Sequence, residues 1–230
     1  MSRYERQIPL IGKEGQRKLK ESSVAIVGCG GLGTTVATML AEAGVGHLIL
    51  VDKDVPCESN LNRQFAYRYG DSVGKPQLLA EWVFGLNSEV IVDSYHCDYH
   101  DVDFHCDIIV DCLDSVKDRL ELCDLSFSLG IPFVHAAVGS FEGQFSVCIP
   151  GTTPCLRCMI GYQKEYPGNK PSLGTVVSNI ATLEALEVIR LIIGEDSVAK
   201  GRLVSVDLMD YRFDLTEFKS DSKCRICNMR

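Results

Sequence analysis

The stretch VAIVGCGGLG, residues 24–33, decides the fold of this chain. Its first residues are apolar and β-branched, which predicts a short buried strand ending at Gly28, and a helical pattern follows to about Gly44. The spacing G-x-G-x-x-G is formed by Gly28, Gly30 and Gly33. In this context the first glycine permits a tight turn, the second lets the backbone approach a ligand, and the third lets the helix pack closely on the strand. The stretch therefore predicts an α/β fold with a nucleotide-binding turn.

A second buried strand, HLILV at residues 47–51, ends at Asp52. An acidic residue at this place can accept hydrogen bonds from the two hydroxyl groups of a ribose. The glycine turn and Asp52 together leave the choice between a dinucleotide and ATP open.

The polar segment SNLNRQF, residues 59–65, favours ATP. Arg63 offers a planar, permanently charged fork that suits phosphate, and Asn60 and Gln64 offer amide donors. Lys75 follows at the predicted start of a helix, where its ammonium group can bind phosphate as a point charge. A nicotinamide enzyme has no obvious use for this cluster of cations, whereas a triphosphate does.

Asp114 is a candidate magnesium ligand. It follows the buried strand DIIVD, residues 107–111, and so lies at the carboxyl end of a strand, where open α/β sheets bind ligands. A carboxylate there suits Mg²⁺ bound to the phosphates of ATP. Asp111 is the competing candidate, and a carboxylate after a strand can also cap the next helix.

Strands and helices alternate through the first half of the chain, which predicts a parallel sheet with helical crossovers. Further strands are predicted at residues 90–95, 107–111, 132–138, 143–150, 202–207 and 211–218. Further helices are predicted at residues 75–86, 116–129 and 175–193, with a loop at 150–173. Because no repeat or flexible linker interrupts the pattern, residues 1–230 are expected to form one domain, with a nucleotide-binding half at 1–130 and a second half at 131–230.

Composition and charge exclude several classes of protein. Of the 230 residues, 46% are hydrophobic and 23% charged, as expected for a globular protein rather than a disordered one. The formal net charge of −8 argues against a general electrostatic attraction to nucleic acid. No apolar run is long enough to span a membrane, and the charged N-terminus does not resemble a secretory signal. We therefore expect a cytoplasmic protein without membrane or nucleic-acid partners.

The cysteines follow a pattern typical of a metal site. Eleven are present, an odd number that argues against a framework of disulfides. Two C-x-x-C pairs, Cys155 with Cys158 and Cys224 with Cys227, predict a tetrahedral zinc site that joins the C-terminal tail to the middle of the chain. A redox dithiol and buried free thiols are the alternatives.

The other seven cysteines have no such pattern. Cys29, Cys112 and Cys148 lie in or beside apolar segments and are predicted to be packing residues. Cys57 lies in the candidate nucleotide loop, and we predict that it is not reactive.

Taken together, these motifs resemble the ThiF/MoeB/HesA family, the bacterial and archaeal relatives of ubiquitin-activating enzymes. The resemblance spans almost the whole chain and is carried by RYERQ at 3–7, VGCGGLG at 27–33, AGVGHLILVD at 43–52, SNLNRQF at 59–65, GKP at 74–76 and DCLD at 111–114. It implies a Rossmann-like fold with a mixed, mainly parallel sheet and a zinc clip of four cysteines. It also implies an ATP-dependent adenylyltransferase that attaches AMP to the C-terminal Gly-Gly carboxylate of a small ubiquitin-like sulfur-carrier protein and releases pyrophosphate.

The resemblance further implies roles for individual residues. Asp52 would recognise the ribose, and Asp114 would hold Mg²⁺ at the reaction centre. The phosphates would be bound by Asn60, Arg63, Gln64 and Lys75. Arg6 matches an arginine that, in the family, reaches into the ATP site of the partner subunit, so that the active unit would be a homodimer.

The chain departs from the sulfur-transferring branch of the family. ThiF-like members of that branch carry a cysteine between the first zinc pair and the long helix, whereas no cysteine lies between Cys158 and Cys224. No rhodanese extension is evident either, so we expect activation only, with sulfur supplied by another protein. The alternatives are an enzyme of the same fold that acts on a peptide or a tRNA-linked carboxylate, and a non-catalytic binding scaffold.

Overall fold

Strands and helices alternate along the computed structural model, which describes residues 3–161, 163 and 171–228. The strands are β1 (Ser23–Val27), β2 (His47–Val51), β3 (Ile91–Tyr95), β4 (Ile108–Asp111), β5 (Phe133–Gly139), β6 (Glu142–Cys148), β7 (Arg202–Asp207) and β8 (Arg212–Glu217). The helices are α1 (Ile8–Glu21), α2 (Gly31–Ala43), α3 (Lys75–Leu86), α4 (Val116–Leu129), α5 (Leu156–Ile160) and α6 (Gly174–Ile193). Among the helices of these described residues, none is long and apolar enough to cross a membrane.

The predicted strands and helices are confirmed, with ends that differ from the prediction by at most two residues. The loop predicted at 150–173 falls partly outside the described residues, which omit 162 and 164–170. Within its described part the structure adds the short helix α5.

The strands join one sheet in the order β3-β2-β1-β4-β5-β6-β7-β8. Neighbours are parallel from β3 to β5 and antiparallel from β5 to β8, which confirms the mixed, mainly parallel sheet. The chain runs outward from β1 to β2 and β3 and then crosses to β4, on the other side of β1. A crevice forms at such a reversal, outside the carboxyl ends of the strands, and the topology therefore places a ligand site beside β1 and β4.

Helices cover both faces of the sheet, which explains why its central strands β1, β2 and β4 are largely apolar. Alternate residues of β1 face opposite sides, with Val24 and Ile26 in one apolar cluster and Ala25 and Val27 in the other. Helices α1, α2, α3 and α6 pack on the first side, and α4 and α5 on the second. This arrangement is the Rossmann-like α/β architecture that the sequence predicts.

The sequence pattern predicts neither α1 nor α5. Helix α1 places Leu19 in the core and packs Ile11 against it, but the helix is kinked at Gly12 and its Leu10 is 86% exposed. Polar contacts with the ends of other helices hold it as well. The ammonium group of Lys18 donates to the carbonyl oxygen of Ile193 at 2.9 Å. The side-chain amide of Gln16 donates to the carbonyl oxygen of Ala43 at 3.1 Å. Helix α5 has only five residues, too few for a periodic pattern.

Candidate active site

A cleft of about 780 Å³ opens at the carboxyl ends of β1, β2 and β4, where the topology places a ligand site. A volume of this size suits a nucleotide-sized ligand. The cleft is lined by eight of the ten predicted residues of the nucleotide and catalytic site: Gly28, Gly30, Asp52, Asn60, Arg63, Gln64, Lys75 and Asp114. The other two, Gly33 and Arg6, do not line it.

The glycine turn is tightly packed on one side of the cleft. Gly28 has a φ of 98°, in the left-handed region, and a Cβ atom there would lie 2.5 Å from the carbonyl oxygen of Cys112. A Cβ atom on Gly33 would lie 1.9 Å from the carbonyl oxygen of Gly28, so Gly33 allows α2 to pack on the turn, as predicted. No side chain caps α2 at Gly30, and the first N–H groups of the helix form a position suited to an anion.

Asp52 is held against this turn by two backbone hydrogen bonds. Its Oδ2 atom accepts from the N–H of Cys29 at 2.7 Å, and its Oδ1 atom accepts from the N–H of Asp54 at 2.8 Å. Each carboxylate oxygen keeps a lone pair for a further donor. The carboxylate is thus oriented at the cleft wall in a way that suits a pair of ligand hydroxyl groups.

The segment 59–65 forms another wall of the cleft. The guanidinium group of Arg63 donates to the carbonyl oxygen of Ser59 at 2.9 Å and to Oδ1 of Asn62 at 2.8 Å. The side-chain oxygen of Asn60 accepts from a backbone N–H of its own turn at 3.1 Å. These local bonds hold Arg63 and Asn60 at the cleft.

Gln64 lines the cleft but is itself only 4% exposed. Its Oε1 atom is buried and has no hydrogen-bond partner among the described residues. A buried oxygen without a donor is unfavourable, because its hydration is lost and nothing replaces it.

Lys75 begins α3 with its side chain only 7% exposed. Its ammonium group donates to Oδ2 of Asp54 at 2.9 Å, and its backbone N–H donates to the carbonyl oxygen of the same residue at 3.0 Å. Asp54 is not among the predicted site residues, although it follows Asp52 with D-x-D spacing. The arrangement places a largely desolvated cation at the cleft wall, beside a carboxylate that is 61% exposed.

The structure gives different surroundings to the two carboxylates at the end of β4, Asp111 in the strand and Asp114 after it. Asp114 is exposed and lines the cleft, whereas Asp111 is fully buried. Neither is the N-cap of α4, because the hydroxyl group of Ser115 accepts from the backbone N–H of Asp118 at 3.0 Å. Asp114 is therefore the carboxylate that can meet a ligand.

A buried polar group that the sequence does not reveal lies behind this loop. Oδ2 of Asp111 lies 2.7 Å from Nδ1 of His135, and both side chains are fully buried. Burial lowers the pKa of His135, although its hydrogen bond to Asp111 acts in the opposite direction. Burial and the nearby Asp111 raise the pKa of Glu184 well above its usual range. Arg119, which is 4% exposed, brings a positive charge to the group from α4.

Arg6 lies far from the cleft of its own chain. Its neighbours Tyr4 and Gln7 contact the C-terminal end of α2, where Tyr4 packs over Gly44 and the side chain of Gln7 donates to the carbonyl oxygen of Ala43 at 2.8 Å. The cleft lies at the opposite end of α2, which has 13 residues and is therefore about 20 Å long. The geometry thus leaves the exposed Arg6 out of its own cleft.

The two C-x-x-C pairs come together in space. The sulfur atoms of Cys155, Cys158, Cys224 and Cys227 all lie within 4.8 Å of one another. Sγ of Cys155 lies 3.5 Å from Sγ of Cys224 and 3.9 Å from Sγ of Cys158. Sγ of Cys158 lies 3.7 Å from Sγ of Cys227. In a tetrahedral site with Zn–S bonds of about 2.3 Å, the sulfur atoms would be about 3.8 Å apart. The donor set and its spacing fit Zn²⁺.

The cysteines outside this cluster are free thiols. Cys29, Cys112 and Cys148 are buried, which confirms the prediction that they are packing residues. Burial raises the pKa of Cys29 and Cys112, so both thiols stay protonated at neutral pH. Cys57 is exposed and lines the cleft.

Comparison with known proteins identifies relatives of this chain and of its fold. The SAMP-activating enzyme E1 of Haloferax volcanii is 36% identical over 242 residues, covering 99% of this chain and 88% of that protein. The adenylyltransferase and sulfurtransferase MOCS3 of Xenopus laevis is 35% identical over 244 residues, and the match covers 98% of this chain but only 53% of MOCS3. The crystal structure of E. coli MccB with ATP has the same fold, with a TM-score of 0.88 at 22% identity, covering 99% of this chain and 74% of that one.

The family follows from a match to a family model over almost the whole chain. Residues 4–227 match the ThiF family, which includes the cleft, the sheet and the cysteine cluster. The family resemblance carried by the sequence motifs is thereby confirmed. The chain belongs to the ThiF family and is an ATP-dependent adenylyltransferase.

Proposed function

We propose that this enzyme adenylylates the C-terminal Gly-Gly carboxylate of a small ubiquitin-like carrier protein. A carboxylate oxygen attacks the α-phosphorus of ATP, the bond between the α- and β-phosphates breaks, and pyrophosphate leaves. The observation that carries the proposal is the meeting of Asp52, Arg63, Lys75 and Asp114 around one cleft. The choice of a carrier protein is supported by the relative that is named an activating enzyme E1.

The cleft would bind ATP through groups of opposite charge along its walls. Asp52 would accept hydrogen bonds from the ribose, while the start of α2, Arg63 and Lys75 would face the phosphates. Asn60 and Gln64 would supply amide groups beside them. No protein nucleophile is required, because the carrier supplies the attacking carboxylate. Catalysis would then rest on positioning and on the neutralisation of developing charge.

Asp114 would hold Mg²⁺ beside the phosphates. Its carboxylate is exposed at the cleft and offers the oxygen ligands that this cation prefers. When bound, the cation neutralises charge on the pyrophosphate that leaves.

We assign carrier binding to the antiparallel part of the sheet, within residues 131–230. On β8, Phe213 and Leu215 are each 51% exposed. They pair across the sheet with the buried Val206 and Val204 of β7, so an apolar row continues from the core to the surface. Such a row suits contact with a small folded protein. Because this part shares one sheet with the nucleotide half, we treat the chain as one domain.

We further propose a homodimer in which Arg6 of one protomer completes the cleft of the other. Arg6 is exposed and lies at the far end of α2 from its own cleft. Leu10, in the helix that follows, is 86% exposed and offers apolar surface beside it. A second copy would cover this surface and place Arg6 near the phosphates of its partner.

Mixing two inactive variants tests the homodimer. Arg6→Ala removes the donated arginine, and Lys75→Met disables the receiving cleft. After refolding an equal mixture, about one quarter of all clefts should contain both native residues, because half of the dimers are mixed and each has one such cleft. We expect about a quarter of the wild-type exchange activity. Activity no higher than that of the separate variants would contradict the shared cleft.

We propose that the four clustered cysteines hold a structural zinc ion. Two backbone N–H groups support the thiolate form of the ligands: that of Cys155 lies 3.2 Å from Sγ of Cys227, and that of Asp221 lies 3.4 Å from Sγ of Cys158. The ion would attach the C-terminal tail to α5 and the apolar cluster beneath it.

Exchange of pyrophosphate into ATP tests the proposed function. Labelled pyrophosphate should enter ATP only in the presence of a small ubiquitin-like protein that ends in Gly-Gly, because exchange requires that the acyl-adenylate form reversibly. The same protein without its Gly-Gly is the matched control and should give none. Exchange with a free peptide would instead support a peptide-modifying enzyme, and ATP binding without exchange would support a scaffold.

The enzyme is proposed to activate its partner without a covalent intermediate on its own thiols. No cysteine lies between Cys158 and Cys224, and sulfur would come from another protein. Mass spectrometry should find AMP on the carrier, whereas a stable thioester or disulfide adduct to this chain would contradict the proposal. We place the reaction in the cytoplasm, where the seven cysteines outside the zinc cluster would stay reduced.

A further inference from the structure

We infer that Asp111 and Arg119 are positioning residues that fix the backbone of Leu113 and thereby orient the carboxylate of Asp114 in the cleft. The inference rests on the proposed function, in which Asp114 meets the phosphates. Asp111 is completely buried, and Arg119 is 4% exposed although it borders the cleft, so both of these opposite charges are largely shielded from water.

Both polar backbone atoms of Leu113 are held by these charged groups. Its N–H donates to Oδ1 of Asp111 at 3.1 Å. Its carbonyl oxygen accepts from Nε of Arg119 at 3.0 Å and from Nη2 at 2.5 Å. The carbonyl belongs to the peptide plane that ends at the nitrogen of Asp114, and a planar guanidinium fixes the direction of such a contact as well as its length. The two successive peptide planes before Asp114 are therefore clamped.

The anionic side of this clamp is itself oriented. Nε2 of Gln144 lies 3.2 Å from Nε2 of His135 and donates to it, so the proton of the imidazole resides on Nδ1. Nδ1 then donates to Oδ2 of Asp111 at 2.7 Å. Since burial lowers the pKa of His135, the imidazole stays neutral and acts as a fixed donor. The other carboxylate oxygen of Asp111, Oδ1, is therefore available to accept the hydrogen bond from the N–H of Leu113.

The loop cannot relax away from the clamp toward β1. The N–H of Cys112 donates to the carbonyl oxygen of Val27 at 2.9 Å, and the carbonyl of Cys112 lies directly against Gly28, where even a Cβ atom would not fit. Burying two charges carries a desolvation free energy, and apolar residues of similar volume often stabilise a core equally well. What the charges supply here is a defined orientation of the residue that faces the cleft.

Conservative variants test the clamp while keeping the fold. Arg119→Lys retains the charge but loses the bidentate contact, and Asp111→Asn retains the shape but loses the charge. Each should lower the kcat of exchange by about 10²-fold, as expected for a displaced reacting group. The KM for ATP should stay unchanged, because Arg63 and Lys75 are intact. Arg190→Lys is the matched control: Arg190 pairs with the buried Glu187 on α6, at 3.4 Å, and its substitution should leave kcat unchanged.

A double-mutant cycle separates positioning from a general structural role. If Arg119 acts through Asp114, Arg119→Lys should have almost no further effect on kcat in an Asp114→Asn enzyme. An equal loss of kcat in both backgrounds, or a wild-type kcat in the single variant, would overturn the inference.

Hydrogen exchange tests the clamp without relying on catalysis. Deuterium uptake by the segment 112–115 should rise in Arg119→Lys and Asp111→Asn and stay at the wild-type level in Arg190→Lys. Unchanged uptake in the first two would overturn the clamp whatever the substrate is. Raised uptake, together with a wild-type enzyme that shows no carrier-dependent exchange, would support the clamp and reject the proposed function.

Discussion

Replacing Lys75 with methionine is expected to lower carrier-dependent pyrophosphate exchange by about 10²- to 10³-fold. Methionine keeps the apolar stem of the side chain and removes the ammonium group. That group is a largely buried cation at the cleft wall, with its side chain 7% exposed, and a charge in such surroundings attracts phosphate more strongly than one in water. Asp54 is 61% exposed, so water can solvate its carboxylate in the variant, and the free energy of unfolding should change little.

Lys53 provides the matched control for this experiment. It lines the same cleft and pairs with Asp98 at 3.1 Å, but its side chain is 66% exposed. Water screens its charge, so Lys53→Met should reduce exchange far less. Thermal unfolding of both variants separates lost activity from lost structure. A wild-type exchange rate in Lys75→Met would show that Lys75 does not bind the phosphates.

Substitution of Cys224 by serine is expected to abolish zinc binding and to destabilise the protein strongly. The cysteine cluster closes a loop of about 65 residues, for which the entropy of loop closure corresponds to about 4 kcal/mol. For a chain of 230 residues, this loss lowers the midpoint of thermal unfolding by about 8–16 °C. Elemental analysis would measure zinc per chain, and calorimetry would measure the midpoint.

Cys57→Ser is the matched control for the zinc prediction. Cys57 is an exposed free thiol outside the cluster, so one zinc ion per chain and the wild-type midpoint should be retained. Treating the wild-type protein with a strong chelator should lower its midpoint toward that of Cys224→Ser, because metal binding contributes to folding. Full zinc content in Cys224→Ser would contradict a site made of four thiolates.

Elements whose signals are local are predicted well from the sequence. The run before Gly28 is continuously apolar and the glycine spacing follows at once, so strand, turn and helix can be identified from one short stretch. Each C-x-x-C pair can likewise be identified from four consecutive residues. Helix α1 shows the limit of such reasoning, because it is held by contacts such as that of Lys18 with Ile193, which lie 175 residues apart.

The types of chemical group at the site can be identified from the sequence alone: a glycine turn, cations, carboxylates and two pairs of thiols. That Asp114 faces the cleft while Asp111 does not, and that Lys75 is buried beside Asp54, depends on the three-dimensional packing. Burial and hydrogen-bond partners are set by contacts between segments that are distant in the sequence. Asp111 ends β4 in register with His135 of β5, a residue 24 positions later, and this contact draws its carboxylate into the interior.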